Sequence, residues 1–393
     1  MLDFFQFFSP TRIVGGAPGF LGQLGPELEP FRGLKVGVVM DNVIAKLQLL
    51  DAVQPSLQEV GMEVVSIFQD VPQDSDVAVV ENTARQFLEA GVQVLLAIGG
   101  GSVIDTAKAA NIVLTHGGDL RDYQGAQILT QPLLPLIVIP TTVGTGSEVT
   151  MVSVVVDRED HRKLTFVDRT LAPTMAVLDP AVTFTLPVKL VATTAMDALT
   201  HALEAFIDLE HSPLSDAFAV AAAGLIRQNL VLALEQDGFE EARANLQLAS
   251  TMAGVAFNHS MVGIVHALAH SLGGVAGVPH GLANTLMLRE GMQCNLEAAA
   301  DRIAEIGIRA GFIADTFADT PAAAQATIDA VGKFRKQVIA QAGLPRNLLE
   351  AGVREEQLDL LVERASEDGT LVYNPKVVEL DEILTMYKNV MGE

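Results

Sequence analysis

Short, almost continuous apolar runs punctuate the first half of the chain. KVGVVM (35–40), MEVVSIF (62–68), VQVLLAIGG (92–100) and LLPLIVIP (133–140) read as buried strands. Between them, stretches such as DSDVAVVENTARQFLEAG carry apolar residues at helical spacing. Strands without polar alternation, separated by helices, predict a parallel sheet covered on both faces. MVSVVVDREDHRKLTFV then predicts a two-stranded excursion whose turn is the charged DREDHRK.

From Leu186-Pro187 onward the pattern changes. Proline suits a first helical turn, and the remaining half is alanine-rich and helix-periodic almost to the end, as in LVATTAMDALTHALEAFI, DAFAVAAAGLIRQNLVLAL and ANLQLASTMAGVAF. The expected architecture is an α/β domain over residues 1–185, with a Rossmann-like parallel sheet, and an all-α domain over residues 186–393. A chain of 393 residues is long enough to bury a core in each.

Composition narrows the class. Hydrophobic residues make up 49%, which marks a globular protein. The net charge of −23 argues against a nucleic-acid partner, whose phosphates would be repelled. The acidity comes from scarce lysine and arginine, since charged residues total only 19%. Cys294 is the sole cysteine, so no disulfide forms within the chain, which suits a reducing cytosol. MLDFFQFFSPTR does not have the basic leader and long apolar core of a signal peptide. Uncharged stretches such as LLPLIVIP fall short of a membrane span, so the expectation is a cytoplasmic chain with no membrane partner.

Two glycine-rich loops come directly after strands. GGGSVIDTAK (99–108) places Gly99, Gly100, Gly101 and Ser102 where backbone N–H groups and a helix N-terminus can receive a pyrophosphate, with Ser102 able to cap the helix or bind phosphate. A tight strand-to-helix turn without a ligand explains that loop equally, and it matches G-x-G-x-x-G poorly. PTTVGTGSEVT (140–150) offers Thr141, Thr142 and Ser147 at the carboxyl end of another strand, where ligands of open α/β sheets collect. A threonine-rich surface turn is the bland alternative. Asp41 ends KVGVVM and can bond an adenosine ribose, favouring NAD over NADP, or simply cap the next helix. This acid precedes the glycines, so any dinucleotide site departs from the ordinary fingerprint.

The second half carries the candidate metal chemistry. In MDALTH, Asp197 and His201 lie about 40° apart on one helix face. VHALAHSLGGVAGVPHG (265–281) holds His266 and His270 at the same spacing, with His280 beyond a glycine-broken turn. One carboxylate and several imidazoles suit iron(II), zinc(II) or a similar ion. Spacing does not say which three histidines bind. His201 also reads as a core histidine, His280 as a turn cap and His270 as either.

GGGSVIDTAK, PTTVGTGSEVT, TTAMDALTHALEAF, VGIVHALAHSLGG and GVPHGLAN occur in the order found in iron-containing (group III) alcohol dehydrogenases, and VYNPK resembles that family's C-terminal Asn-Pro motif. The resemblance covers nearly the whole chain. It implies a dinucleotide-binding α/β domain, a helical domain and an active site in the cleft between them. It implies Asp197, His201, His266 and His280 as ligands of Fe(2+), with Zn(2+) as a possible substitute. His270 then lines the substrate site without ligating the metal, and is assigned here to proton relay. Gly99, Gly100, Gly101, Ser102, Thr141, Thr142 and Ser147 fall on the pyrophosphate and nicotinamide loops, Asp41 on the acid that favours NAD, and Lys163 on a lysine near the cofactor. The implied reaction is hydride transfer between NAD(H) and a primary alcohol or aldehyde, in a homodimer or larger homo-oligomer.

Two positions depart from the family pattern. VPQDSD stands where many members have Asn-Pro-Thr, and Asn258-His259 where members often have Ser-Asn. His259 is read as facing either solvent or the cleft. The alternatives on the same architecture are a zinc-dependent glycerol dehydrogenase, a dehydroquinate-synthase-type lyase, and a catalytically silent scaffold. The lyase needs clustered lysine and arginine, in which the helical half is poor near its motifs. Four intact ligand positions speak against the silent scaffold.

Overall fold

The computed structural model describes residues 4–159, 162–235, 238–316 and 319–392. Its contacts divide the chain into two compact units. One comprises Ser9–Thr142 and Gly146–Thr185, and the other residues 4–8, Val143–Thr145 and residues 186–392.

The first unit holds nine strands: β1 (Arg12–Gly15), β2 (Lys35–Met40), β3 (Glu63–Phe68), β4 (Val94–Gly99), β5 (Gly125–Ala126), β6 (Leu136–Pro140), β7 (Val152–Asp157), β8 (Arg162–Val167) and β9 (Met175–Leu178). Six form a parallel sheet in the order β1-β9-β6-β4-β2-β3. The absence of polar alternation has a direct cause. Val36, Val38, Leu96, Ile98, Ile137 and Ile139 enter one core cluster, while Val39, Leu95, Ala97, Leu136 and Val138 enter another. Alternate side chains of each strand point to opposite faces, and here both faces are dry. One face is covered by the helix Leu49–Glu59, through Val53 and Leu57, and the other by the helices Val77–Ala90 and Gly101–His116, through Phe87 and Ile104.

The excursion forms as expected: β7 and β8 pair antiparallel from Val152↔Val167 to Asp157↔Arg162, and short β5 adds alongside β8. Of its turn, Asp160 and His161 lie outside the described residues.

The second unit is helical, with Val188–Ile207, Pro213–Ala233, Glu240–Ser260, Ile264–Ala276 and His280–Cys294 at its centre. Alanines dominate the contact faces: Ala195, Ala198, Ala202, Ala219, Ala222 and Ala223 are all fully buried. Small side chains bring helix axes close and fill the space with backbone and neighbouring leucines. Pro187 is the N-cap of Val188–Ile207 and not a member of its first turn.

One helix tests the reading that uncharged apolar stretches fall short of a membrane span, although it carries Asp216 and Arg227. Pro213–Ala233 has 21 residues and enough apolar character to cross a membrane by length and composition. It packs against both Val188–Ile207 and Glu240–Ser260 and contributes Ala219, Ala222, Ala223, Ile226 and Leu230 to the core of the helical unit.

Two short segments from earlier in the chain belong to this helical core. Val143 is fully buried in it. Phe7 stacks on His259 at 4.0 Å and on Phe218 at 6.1 Å. His259 Nδ1 donates to the Val255 carbonyl (2.7 Å), and Nε2 lies against the Phe8 backbone, 3.0 Å from its N–H and 2.9 Å from its carbonyl. His259 is half-buried, engaged at both ring nitrogens, and pins the aromatic N-terminal arm.

Candidate active site

In the α/β unit the parallel register gathers the nucleotide candidates at neighbouring strand ends. Met40 pairs with Ile98, and Gly99 with Pro140, so Asp41, the Gly99–Ser102 turn and Thr141–Thr142 lie at the carboxyl ends of adjacent β2, β4 and β6. The sheet is built outward in one direction from β2 to β3 and in the other from β4 onward. The order thus reverses between β2 and β4, where open α/β sheets leave a ligand crevice.

Individual roles differ from one residue to the next. Gly100, and not Ser102, is the N-cap of Gly101–His116. A Cβ on Gly100 would stand 2.8 Å from Thr142 Cγ2, so glycine is what lets the two loops touch. The Thr141 N–H bonds the Gly99 carbonyl at 3.0 Å. Ser102 Oγ accepts from the Asp74 N–H at 3.2 Å, from within the VPQDSD segment. Asp41 accepts from Val43 and Ile44 N–H at 2.8 Å each, which is the capping role.

Ser147 Oγ donates to Asp105 Oδ1 (2.6 Å) and meets Lys108 Nζ at 3.3 Å, so its hydroxyl is engaged with the helix behind the loop. Lys163 on β8 sits near enough to Asp105 to favour its charged form. Burial nevertheless raises the Asp105 carboxyl, against the pull of Lys108.

In the helical unit Asp197, His201, His266 and His280 converge, their ligand atoms all lying within 4.8 Å of one another. Asp197 Oδ1 is 4.0 Å from His201 Nε2, 3.9 Å from His266 Nε2 and 3.4 Å from His280 Nε2. Donors held around one tetrahedral ion at about 2.0–2.2 Å stand roughly 3.4 Å apart, so the set needs only a small contraction to close on a cation. Asp197, His201 and His266 are buried, while His280 is a third exposed. Three buried imidazole and carboxylate donors turned toward one point, with no lysine or arginine among their described partners, fit a divalent cation.

Helix geometry explains the convergence. Asp197 and His201 share a face of Val188–Ile207, His266 lies in the first turn of Ile264–Ala276, and His280 opens His280–Cys294 directly after Pro279. The His201 ring stacks on His266 at 4.7 Å and on Phe257 at 4.3 Å, which holds both imidazoles in place.

The pattern of histidines and glycines leaves four residues unread. Asn284 Nδ2 donates to Asp197 Oδ1 at 2.6 Å and lies 3.2 Å from both His266 Nε2 and His280 Nε2. Glu204 Oε1 accepts from the Val265 N–H (2.6 Å), and its Oε2 lies 2.5 Å from His266 Nδ1. Asp368 Oδ2 accepts from His270 Nδ1 at 2.8 Å, and Asp208 stands fully buried one turn after Glu204. Burial pushes the Glu204 and Asp208 carboxyls up, and the neighbouring Glu204 charge raises Asp208 further. Burial also acts to raise Asp368, but the hydrogen bond and charge of His270 outweigh it and hold that carboxyl well below its usual range. His270 is beside the cluster and not in it: its ring stacks on His280 at 5.4 Å, edge-on to His266 at 6.0 Å.

Comparison with known proteins accounts for this pairing of units. Residues 10–180 match the family model "Iron-containing alcohol dehydrogenase", and residues 191–391 match "Fe-containing alcohol dehydrogenase family, C-terminal". The chain belongs to the iron-containing alcohol dehydrogenase family, a family of oxidoreductases. It is 34% identical over 385 residues to the NAD-dependent methanol dehydrogenase of Bacillus methanolicus, covering 98% of this chain and 99% of that one. It is equally 34% identical over 386 residues to the 1,3-propanediol dehydrogenase of Citrobacter freundii, covering 98% of each. The crystal structure of a 1,3-propanediol oxidoreductase superposes with a TM-score of 0.93 at 33% identity, covering 99% of this chain and all of the other.

Proposed function

We propose that the chain transfers a hydride between NAD(H) and a small primary alcohol or aldehyde, using a divalent metal held by Asp197, His201, His266 and His280. The observation that carries this reading is the convergence of one carboxylate and three imidazole Nε2 atoms from three helices. Iron(II) is the ion proposed, with zinc(II) as a substitute, because the donor set suits either. When bound, such a cation supplies Lewis acidity toward the substrate oxygen.

The chain's own residues do the rest. Asp197 provides the negative charge of the set, and Asn284 orients that carboxylate through Oδ1. In its neutral form His270 donates an Nδ1–H hydrogen bond to Asp368 and keeps an Nε2 lone pair that takes the proton the alcohol loses. The Asp368 carboxylate then stabilises the imidazolium until it passes the proton to solvent. Asp41, Gly99, Gly100, Gly101, Ser102, Thr141 and Thr142 are proposed to receive the dinucleotide at the β2/β4/β6 strand ends. Ser147 and Lys163 are assigned to the same site through the Asp105 and Lys108 network behind it. We further infer a cytoplasmic homo-oligomer, on the strength of the family resemblance and the single cysteine.

The test is NADH oxidation by iron- or zinc-loaded enzyme over a panel of short and medium aldehydes. Aldehyde-dependent oxidation supports the reading; its absence across the panel with both metals defeats it. Gly100→Ala probes the nucleotide loops separately. The added methyl must displace Thr142 at a cost of about 1–3 kcal/mol, so NADH affinity is expected to fall about tenfold while metal content stays at the wild-type level. Equilibrium titration of NADH fluorescence reads the first quantity, and metal analysis the second.

A further inference from the structure

The helix that carries His266 has no cap of its own. Its N-cap is Gly263, which has no side chain to offer, and the first N–H groups of a helix need outside partners. Those partners come from remote elements: the Ile264 N–H reaches Asn374 Oδ1 at 3.3 Å, and the Val265 N–H reaches Glu204 Oε1 at 2.6 Å. Asn374 is itself held by a reciprocal amide pair with Asn295, at 2.8 and 2.9 Å. Gly263 is required by this docking, because a Cβ there would stand 2.8 Å from Asp208 Oδ1 and 3.0 Å from Asn374 Oδ1.

Glu204 belongs to the same helix as His201 and Asp197, three and seven residues beyond them, and so shares their face. Its second oxygen, Oε2, receives His266 Nδ1. One carboxylate therefore ties the start of the His266 helix to the Asp197–His201 helix and fixes the ring at the same time. A proton held on Nδ1 leaves the lone pair on Nε2, the atom that faces Asp197 Oδ1, His201 and His280. Partners of this kind set both the tautomer and the basicity of a metal-binding imidazole.

We propose that Glu204 is the positioning residue for His266: by accepting the Val265 N–H and the His266 Nδ1–H together, it keeps the Nε2 lone pair turned into the four-residue cluster. This deepens the metal-site reading and rests on it. Glu204→Gln preserves size and removes the dual acceptor. The amide oxygen can serve one donor, and the amide nitrogen then confronts the other. If it confronts the ring, His266 must move its proton to Nε2, onto the atom that should bind the ion. If it confronts Val265, the helix start loses its cap.

The test is zinc(II) binding to the metal-free enzyme by chelator competition, with NADH affinity measured in parallel. Glu204→Gln is expected to bind zinc 10–100-fold more weakly with NADH affinity unchanged, the loss seen on removing an outer partner of a metal ligand. Zinc affinity within about threefold of wild type would overturn the proposal. A nitrogen-15 spectrum of the histidine rings in wild-type protein tests it without any variant. His266, assigned by its disappearance in His266→Gln, should carry its proton on Nδ1 with and without zinc, and a proton on Nε2 would overturn the proposal even if Glu204→Gln fails to fold. Wild-type protein that takes up no zinc would refute the metal site itself, an outcome distinct from a variant that binds as well as wild type.

Discussion

Asp197→Ala is expected to bind no stoichiometric metal and to lose at least about 10³-fold in turnover, while NADH still binds as in wild type. The size reflects the chemistry removed. Asp197 is the one carboxylate in the cluster, and three neutral imidazoles bring no charge to offset the desolvation of a divalent ion. Lewis-acid assistance contributes several kcal/mol to barrier lowering, and about 4 kcal/mol corresponds to roughly 10³ in rate. NADH affinity should survive because Asp41, the Gly99–Ser102 turn and Thr141–Thr142 belong to the other compact unit. Metal analysis and a fluorescence titration of NADH on the same preparation read both halves of the expectation. Joint loss of metal and NADH binding in a folded variant would contradict the assignment of the two ligands to separate units.

Lys108→Met is expected to cost about 3–5 kcal/mol of stability, the scale for stripping one partner from a buried charge network. Lys108 is 1% exposed, and its Nζ reaches the Thr150 carbonyl (2.8 Å), Thr150 Oγ1 (3.0 Å), the Val152 carbonyl (2.8 Å) and Ser147 Oγ (3.3 Å). Asp105, one helical turn earlier, takes the Ser147 hydroxyl and the Val154 N–H. Together they fasten residues 147–154 to the helix that starts at the Gly99–Ser102 turn. Methionine fills the volume but leaves Asp105 without its nearest cation and two carbonyls without their donor. Urea unfolding reads the loss, and NADH affinity should weaken with it as the loop loosens.

The same site has a pH signature. Burial pushes the Lys108 ammonium down to about 8, against the opposing pull of Asp105 and Glu148. Between pH 8 and the ordinary value of 10.5 the unfolded chain therefore holds more protons at this site, and stability gains from each increment of pH there. The wild type should gain on Lys108→Met across that window. A gap that narrows as pH rises would contradict the buried ammonium.

The parts of this architecture that are legible in the sequence are those with a local signal. β2, β4 and β6 are apolar on both faces and edge strand β3 is apolar at four of its six positions, so their runs stand out, and the β7–β8 pair announces itself by a charged turn between alternating strands. β1 and β9 go unread because each has four residues, too few for a period to register. β9 nonetheless lies between β1 and β6 in the sheet.

The cluster Asp197, His201, His266 and His280 is visible from helical spacing and family resemblance. Two of its supporting residues carry a fainter signal: Glu204 continues the Asp197–His201 face, and Asn284 lies four residues after His280 on one helix. Asp368 has none, since 98 residues separate it from His270 and only the tertiary fold brings them together. His259 escapes sequence reasoning for a related reason. Its partners are Phe7 and Phe8, 251 residues from it in the case of Phe8, in an arm whose aromatic content looks like an exposed terminus.

The central claim is that one divalent ion at Asp197, His201, His266 and His280 is required for turnover. Titrating metal-free enzyme with iron(II) under anaerobic conditions, while monitoring aldehyde-dependent NADH oxidation, tests it most directly. Activity should rise from background and saturate at one ion per chain. Full activity in the chelator-stripped enzyme, unchanged by added metal, would contradict the account.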